Sequence, residues 1–401
     1  MAHARIGYTY ALTMMSPDEG RPHLEKAFAL SHRLTDKDRL HIAAWYAVAN
    51  QDYDGAVRAF REIIKQHPLE SEAYLRLARL FEGEKRVEEF LEVIKQGLVV
   101  DPESKNLYNT LGIAYLSLGH FDQAIAAHRK YVQLVPEEPN AYDSLGLTYQ
   151  TIGRYEEAVA TYKRGLEVDP DFDIAVFHLA NTYFWMGRYR DALPLYERYI
   201  ELAPSDFERS LGHRSMSQVF LRLGELAKAE ASAAGEARVL KKPGLASFLL
   251  AVERGDFRAA TRIVERARAD GEVARGQRGW LRYNHFMIGY LALKRGRPGE
   301  AIEHLQEAVK QRSPVWDANP FEDCLANAYL ELGRPDEAIA EYERILKFNP
   351  NYPLIRYHLA LAYERKGQPG QARADYEKFL HTWKEADADI PEVVAAKRAL
   401  L

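Results

Sequence analysis

Hydrophobic positions recur along this chain at a fixed interval. Pro68, Pro102, Pro136, Pro170 and Pro204 lie 34 residues apart, and the same order of side chains fills each interval. An aromatic opens a stretch (Tyr74, Tyr108, Tyr142), and a leucine with a small neighbour follows (Leu77 and Ala78, Leu111 and Gly112, Leu145 and Gly146, Leu179 and Ala180). Next come an aromatic (Phe81, Tyr115, Tyr149, Tyr183), a glycine (Gly119, Gly153, Gly187), and an alanine (Ala124, Ala158, Ala192) with a bulky residue beyond it. Leucine, small residue and aromatic at i, i+1 and i+4 put an apolar stripe on one helix face. The small residue lets a second helix approach closely. The glycine ends the first helix in a left-handed conformation that other residues resist. The residue before each proline avoids the helical region and stops the second helix. Each interval therefore predicts a helical hairpin. One hairpin cannot bury its own apolar face, so neighbours must stack.

This repeat resembles the tetratricopeptide family, and the resemblance covers nearly the whole chain. A first clear unit runs from about Lys37 to Pro68, with Ala44, Ala56 and Phe60 in the corresponding places. The tracts Asn319–Pro350 (Leu325, Ala326, Tyr329, Gly333, Ala338, Tyr342) and Pro353–Phe379 (Leu359, Ala360, Tyr363, Gly367, Ala372, Tyr376) match as well. The implied fold is all-α, a right-handed α-solenoid of about ten to eleven hairpins with a C-terminal capping helix. The expected organisation is an irregular N-terminal hairpin or cap at 1–36, five regular units at 37–206, three degenerate units with longer connections at 207–318, two regular units at 319–384 and a capping helix at 385–401.

The middle departs from the period. Gly224 with Ala229, Gly255 with Ala260, and Gly289, Gly296 and Ala301 mark the degenerate units, and successive turn glycines there lie 37, 31, 41 and 37 residues apart. Extra residues near Ser205–His213, Asp270–Trp280 and Gln311–Asn319 imply a change of superhelical path, a hinge, or simply tolerated longer loops. Residues 3–32 read as an irregular hairpin with Gly7, Tyr10 and Ala27 as remnants, as in a trimmed fragment or an atypical cap. At the other end Asp389 is placed to cap a last helix carrying Pro391 in its first turn. The stretches LSHRLTDKDRLHIAAWYA and FLHTWKEADADIP are similar to repeat regions that follow a kinase or winged-helix domain in some bacterial signalling proteins. Neither of those domains is present. This similarity implies a sensory or scaffolding role acting on an associated effector.

Composition narrows the function classes. Of 401 residues, 47% are hydrophobic and 28% charged, which fits a folded chain rather than a disordered one. A net charge of −4 provides no global field for nucleic acid or anionic membranes. The apolar stretches Ile174–Met186 and Leu245–Val252 are too short or too polar to span a bilayer. The N-terminal MAHARIGYTYALTMM lacks the features of a signal peptide. The expectation is a soluble, cytoplasmic chain. One cysteine excludes an internal disulfide framework.

Catalytic chemistry finds no local support. His120 and His128 are eight apart, and there is no His-Glu-x-x-His, so no metal is nominated. No phosphate-binding glycine loop or Gly-x-Ser-x-Gly elbow occurs, and no cofactor is nominated. Cys324 reads as a small, partly buried side chain. One basic cluster stands apart. Arg258, Arg262 and Arg266 share a helix face, and Arg275 and Arg278 follow. These could hold an acidic segment, a phosphate or RNA, or form a solvated face. Aromatics for base stacking are scarce among them, so nucleic acid is disfavoured.

The family resemblance implies that the first helix of each hairpin lines a concave groove, and residues not needed for the core face it. Those are Asn106, Asn109, Thr110 and Ile113 in one unit and Asn140, Asp143, Ser144 and Leu147 in the next. In the third they are Phe177, His178, Asn181, Phe184 and Trp185. Core places there are filled by Val176, Leu179, Ala180 and Tyr183, which leaves the three aromatics as binding anchors. The alternative for Phe184 and Trp185 is packing against a neighbouring repeat. Asparagines suit the donors and acceptors of an extended peptide. Some family members clamp the C-terminal carboxylate of heat-shock chaperones with lysine, asparagine and arginine. The corresponding places here hold Asn109, Ile113 and Ser144 in one frame and Leu75, Arg79 and Thr110 in another, so that mode is disfavoured. The expected function is a non-catalytic protein-interaction scaffold for a peptide or partner protein.

Overall fold

The structure is a computed structural model that describes residues 2–10, 17–83, 86–273, 278–310 and 323–401. Among the described residues there are 23 α-helices and no strand. The chain divides into two compact units, 1–136 and 137–401. Unit 1 holds four hairpins: α1 (Ala2–Tyr8) with α2 (Pro17–Leu30), α3 (Asp36–Ala49) with α4 (Tyr53–Gln66), α5 (Ser71–Gly83) with α6 (Val87–Val100), and α7 (Lys105–Ser117) with α8 (Phe121–Leu134). Unit 2 holds seven. They are α9 (Pro139–Thr151) with α10 (Tyr155–Val168), α11 (Asp173–Trp185) with α12 (Tyr189–Leu202), α13 (Asp206–Arg222) with α14 (Leu226–Leu240), and α15 (Leu245–Glu253) with α16 (Phe257–Val273). Then follow α17 (Arg278–Lys294) with α18 (Pro298–Lys310), α19 (Cys324–Glu331) with α20 (Pro335–Phe348), and α21 (Pro353–Arg365) with α22 (Pro369–Thr382). A single helix, α23 (Pro391–Ala399), follows the last hairpin.

The turn inside each hairpin explains the glycine period. At the end of α11, Gly187 N donates to Phe184 O at 3.1 Å and Arg188 N to Tyr183 O at 2.9 Å. This pairing closes the helix only when the glycine position is left-handed, and Gly187 has φ +71°. Gly224, Gly255 and Gly296, the turns of the irregular tract, have φ between +71° and +72°. The irregular spacing comes partly from helix length. Helices α13, α16 and α17 each have 17 residues, against 13 in α9 and α11. The insertion expected near Ser205–His213 is thus helical. The tract 311–322 lies outside the described residues.

Packing follows the small-residue positions. Ala44, Ala78, Ala180, Ala326 and Ala360 on first helices are fully buried, as are Ala56, Ala124, Ala158, Ala192, Ala229, Ala260, Ala301 and Ala338 on second helices. In unit 1 the core runs through Phe60, Phe81, Phe90, Ile94 and Leu107. In unit 2 it runs through Phe220 and Leu250, then Phe248, Phe286 and Leu305, then Tyr342, Ile345 and Leu359. Each large apolar side chain buried this way contributes roughly 1.5–3 kcal/mol. First helices of neighbouring hairpins also meet directly: α5 with α7, α9 with α11, α13 with α15, α17 with α19. Among the described residues no two second helices come together in that way. The first helices therefore line the concave side of each unit.

Unit 2 closes on itself edge to edge. The connection after α20 meets the turn after α9, where Asn349 Nδ2 lies 3.2 Å from Tyr155 Oη and Asn351 Nδ2 donates to Gly153 O at 3.3 Å. The connection after α22 meets the turn after α11. Trp383 Nε1 donates to Trp185 O at 2.9 Å and Asp387 N to Gly187 O at 3.0 Å. These pairs lie 194 to 200 residues apart in sequence, the length of one superhelical turn. Asp389, expected to cap α23, does something else. The N-cap is Ile390, without a side-chain cap, and Asp389 accepts two bonds from Arg190 at 2.9 and 2.7 Å. The guanidinium reaches the carboxylate across the closure and takes the oxygens that would otherwise face the helix start.

Candidate functional site

On the concave side of unit 2, α9 and α11 place most of the expected residues together. Phe177 is half-buried, stacked on Tyr199 at 4.5 Å between ring centroids and edge-on to Tyr196 at 6.0 Å. Asn181 accepts from Tyr196 Oη at 2.7 Å through its carbonyl oxygen, so its orientation is set by the second helix of its own hairpin. His178 Nδ1 lies 2.9 Å from Asp143 Oδ1, which joins α11 to α9. Asp143 is 5% exposed, and the His178 ring lies over Tyr162. Ser144 and Asn140 are half-buried beside them. Burial pushes the Asp173 carboxyl at the start of α11 above its usual range, and nearby Glu208 and Asp143 add to this. Together these form a partly apolar, partly hydrogen-bonding strip with acidic character at one end.

Phe184 and Trp185 lie at the far end of α11 and have other neighbours. Phe184 lies 5.2 Å from the Tyr189 ring. Trp185 lies 5.5 Å from Tyr352 and edge-on to Tyr155, inside the closure. In unit 1, Asn106 is exposed, whereas Thr110 is buried and donates to Asn106 O at 2.8 Å. Asn109 Oδ1 is buried without a hydrogen-bond partner, and its backbone oxygen lies 3.1 Å from His128 Nε2.

A second junction in unit 2 repeats the aspartate–histidine arrangement. His358 Nδ1 lies 2.7 Å from Asp323 Oδ2, and the His358 ring lies over Tyr342. Burial alone would raise the Asp323 carboxyl, but His358 and Asn327 outweigh it and hold it below the usual range. Sequence reading passed over Asp323 and His358. The signal was available: they lie 180 residues after Asp143 and His178, at the same repeat positions.

On the outer side, Arg258, Arg262 and Arg266 are exposed along α16. Other second helices pair arginines locally, as Arg154 does with Glu157 and Arg334 with Glu337. Arg258 and Arg262 make no such ion pair among the described residues. Arg275 lies outside the described residues, and the side chain of Arg278 does as well. Cys324 is 3% exposed. Among the described residues no group of three or more His, Cys, Asp or Glu side chains is placed to hold a metal, and no helix is long and apolar enough to cross a membrane.

Family models described as tetratricopeptide repeat match residues 43–105, 109–171, 153–212 and 355–380, and one described as TPR repeat matches 326–367. Together they span more than half of the chain. The chain belongs to the tetratricopeptide repeat family. Its fold is similar to that of a tetratricopeptide repeat protein from Parabacteroides merdae, with 14% identity, 73% of this chain and 98% of that one covered, and a TM-score of 0.50. Another similar structure is the APC/C hetero-tetramer Cut9–Hcn1, at 16% identity over 98% of this chain and 75% of that one, with a TM-score of 0.47. MamA matches at 24% identity over 41% of this chain and 91% of its own, with a TM-score of 0.36. Among curated protein sequences none matches. Tetratricopeptide arrays are interaction scaffolds, and the matched repeats include both hairpins that carry the α9–α11 strip.

Proposed function

We propose that this tetratricopeptide protein is a non-catalytic scaffold that holds an extended peptide segment of a partner on the concave face of unit 2. The observation that carries the reading is the α9–α11 strip. Phe177 offers a half-buried ring, and Asn181 keeps its amide hydrogens after its oxygen is taken by Tyr196. A peptide lying along the first helices would bury a side chain against Phe177 and donate or accept backbone bonds at Asn181, Asn140 and Ser144. The strip is fixed from beneath by Tyr196, Tyr199 and the Asp143–His178 pair, so binding requires little reordering. A peptide selected from a random display library against the intact chain tests this. The Phe177→Ala/Asn181→Ala variant should lose at least tenfold in affinity at unchanged helical content. Equal affinity would remove these residues from the site.

The α16 arginines support a second contact. Two unpaired guanidiniums one helical turn apart suit carboxylates or phosphates. Arg258→Glu/Arg262→Glu should weaken capture of an acidic partner and leave the α9–α11 peptide unaffected. An unchanged acidic partner would dismiss the patch.

A further inference from the structure

The segment Trp383–Glu392 is held by features that the repeat pattern does not require. Its seat is the turn edge Trp185–Arg190 with Arg222. The seat has an apolar part, a backbone part and a cationic part. Gly187 leaves room for the indole: a Cβ there would stand 2.7 Å from the Trp383 ring. Tyr189 meets that ring edge-on. Trp185 O accepts from Trp383 Nε1, Gly187 O accepts from Asp387 N, and Arg190 N donates to Asp387 Oδ2 at 3.2 Å. Arg190 holds Asp389 through its two terminal nitrogens, Nη1 and Nη2, Arg188 lies 3.2 Å from Glu385, and Arg222 lies 2.7 Å from Glu392. Arginine carries every ion pair of the seat, and its planar fork suits carboxylates.

The contact combines a buried anchor, Trp383 at 3% exposed, with a charged part that reaches solvent. It joins a connection to the ends of helices, and among its ion pairs Arg190–Asp389 has both side chains exposed, Arg188–Glu385 and Arg190–Asp387 have one, and Arg222–Glu392 has neither. The side chains of Arg190 and Asp389 are 53% and 65% exposed. Exposed pairs are individually weak and are screened by salt. Before the segment, α22 packs with α21 in its own hairpin, and after it the single helix α23 packs on α22.

We infer that the Trp185–Arg190 edge is an acceptor site for an acidic segment with an aromatic anchor. The chain's own Trp383–Glu392 segment is its resident occupant, displaceable by a partner segment of the same chemistry. The occupant's chemistry is read from the segment seated there: one indole, then carboxylates at 385, 387, 389 and 392 that meet three arginines. This site lies on the turn edge, so it stands or falls separately from the concave strip.

The test uses a labelled synthetic peptide of residues 383–392 and the full chain. Asp387→Arg/Asp389→Arg should eject the resident segment and leave the seat intact. The peptide should bind this variant at least tenfold tighter than the parent, and adding Arg190→Glu should abolish the gain. Equal binding to parent and variant, no binding to the variant, or indifference to Arg190→Glu would each overturn the proposal. A second measurement needs no variant. The Arg190 amide lies in the first turn of α12, where no intrahelical acceptor exists, and Asp387 lies in a connection. Hydrogen exchange of both amides in the parent should accelerate at least tenfold between low and molar salt. Salt-independent exchange would mean that the segment is not releasable.

Discussion

At the residue scale, two backbone sites separate steric from conformational demands. Gly146 faces the Tyr162 ring so closely that a Cβ would stand 2.7 Å from it. Gly146→Leu should therefore overpack the α9–α10 contact and lower stability by about 1–3 kcal/mol in denaturant unfolding. A neutral result would mean that the hairpin is less tightly seated than its geometry requires. The turn after α3 shows the opposite case. Gln51 occupies the left-handed region at φ +61°, where the hairpins from α7–α8 onward carry glycine. Gln51→Gly should relieve strain and raise stability by roughly 0.5–1 kcal/mol, measured as a shift in the urea midpoint at constant slope. The regular period made Gly146 legible from sequence. Gln51 was not legible, because a left-handed glutamine looks like any other glutamine until the turn is built.

At the element scale, helix starts show which elements the local sequence specifies and which depend on distant help. Thr35 caps α3 by accepting from Asp38 N, and Asp52 caps α4 by accepting from Gly55 N. Helix α15 has no such residue, since its N-cap is Gly244. The Glu236 carboxylate from α14 takes that place, accepting from Ala246 N at 2.8 Å while Arg214 Nε donates to it at 3.1 Å. Burial raises the Glu236 carboxyl, and Arg214 opposes that rise. Glu236→Ala should strip the start of α15 of its acceptor and Arg214 of its carboxylate, leaving Tyr283 beside the guanidinium, and cost about 3–5 kcal/mol in thermal or chemical unfolding. The sequence period could place α15, because Gly255 and Ala260 follow it. It could not place Glu236, because that contact has no periodic signature. The same holds for Asp389. Its position before Pro391 predicts a cap, but Arg190, almost two hundred residues earlier, takes the carboxylate.

At the scale of the whole molecule, the closure of unit 2 should be acid-sensitive. Bonding to Arg190 pulls the Asp389 carboxyl down to about 2. A carboxyl depressed in the closed form favours closure fully above its free value, near 4, and loses that effect as pH falls through about 2. Emission from the tryptophans, Trp383 and Trp185 among them, should therefore change between about pH 4 and pH 2 before the hairpins unfold. The same change at Asp389→Asn would assign it to another group. The array of stacked hairpins was legible because each hairpin repeats a local solution. The closure was not, because it depends on unrepeated residues brought together by accumulated curvature. That also bears on the α11 aromatics: Phe177 remains on the concave strip, while Trp185 packs within the closure. The central claim is that the concave strip of α9 and α11 holds a partner peptide. Its most direct measurement is hydrogen exchange of the intact chain with and without a display-selected peptide. Binding in the strip should slow exchange along α9 and α11 and leave α10 and α12 largely unchanged. Protection confined to the second helices, or none in these two hairpins, would contradict the claim.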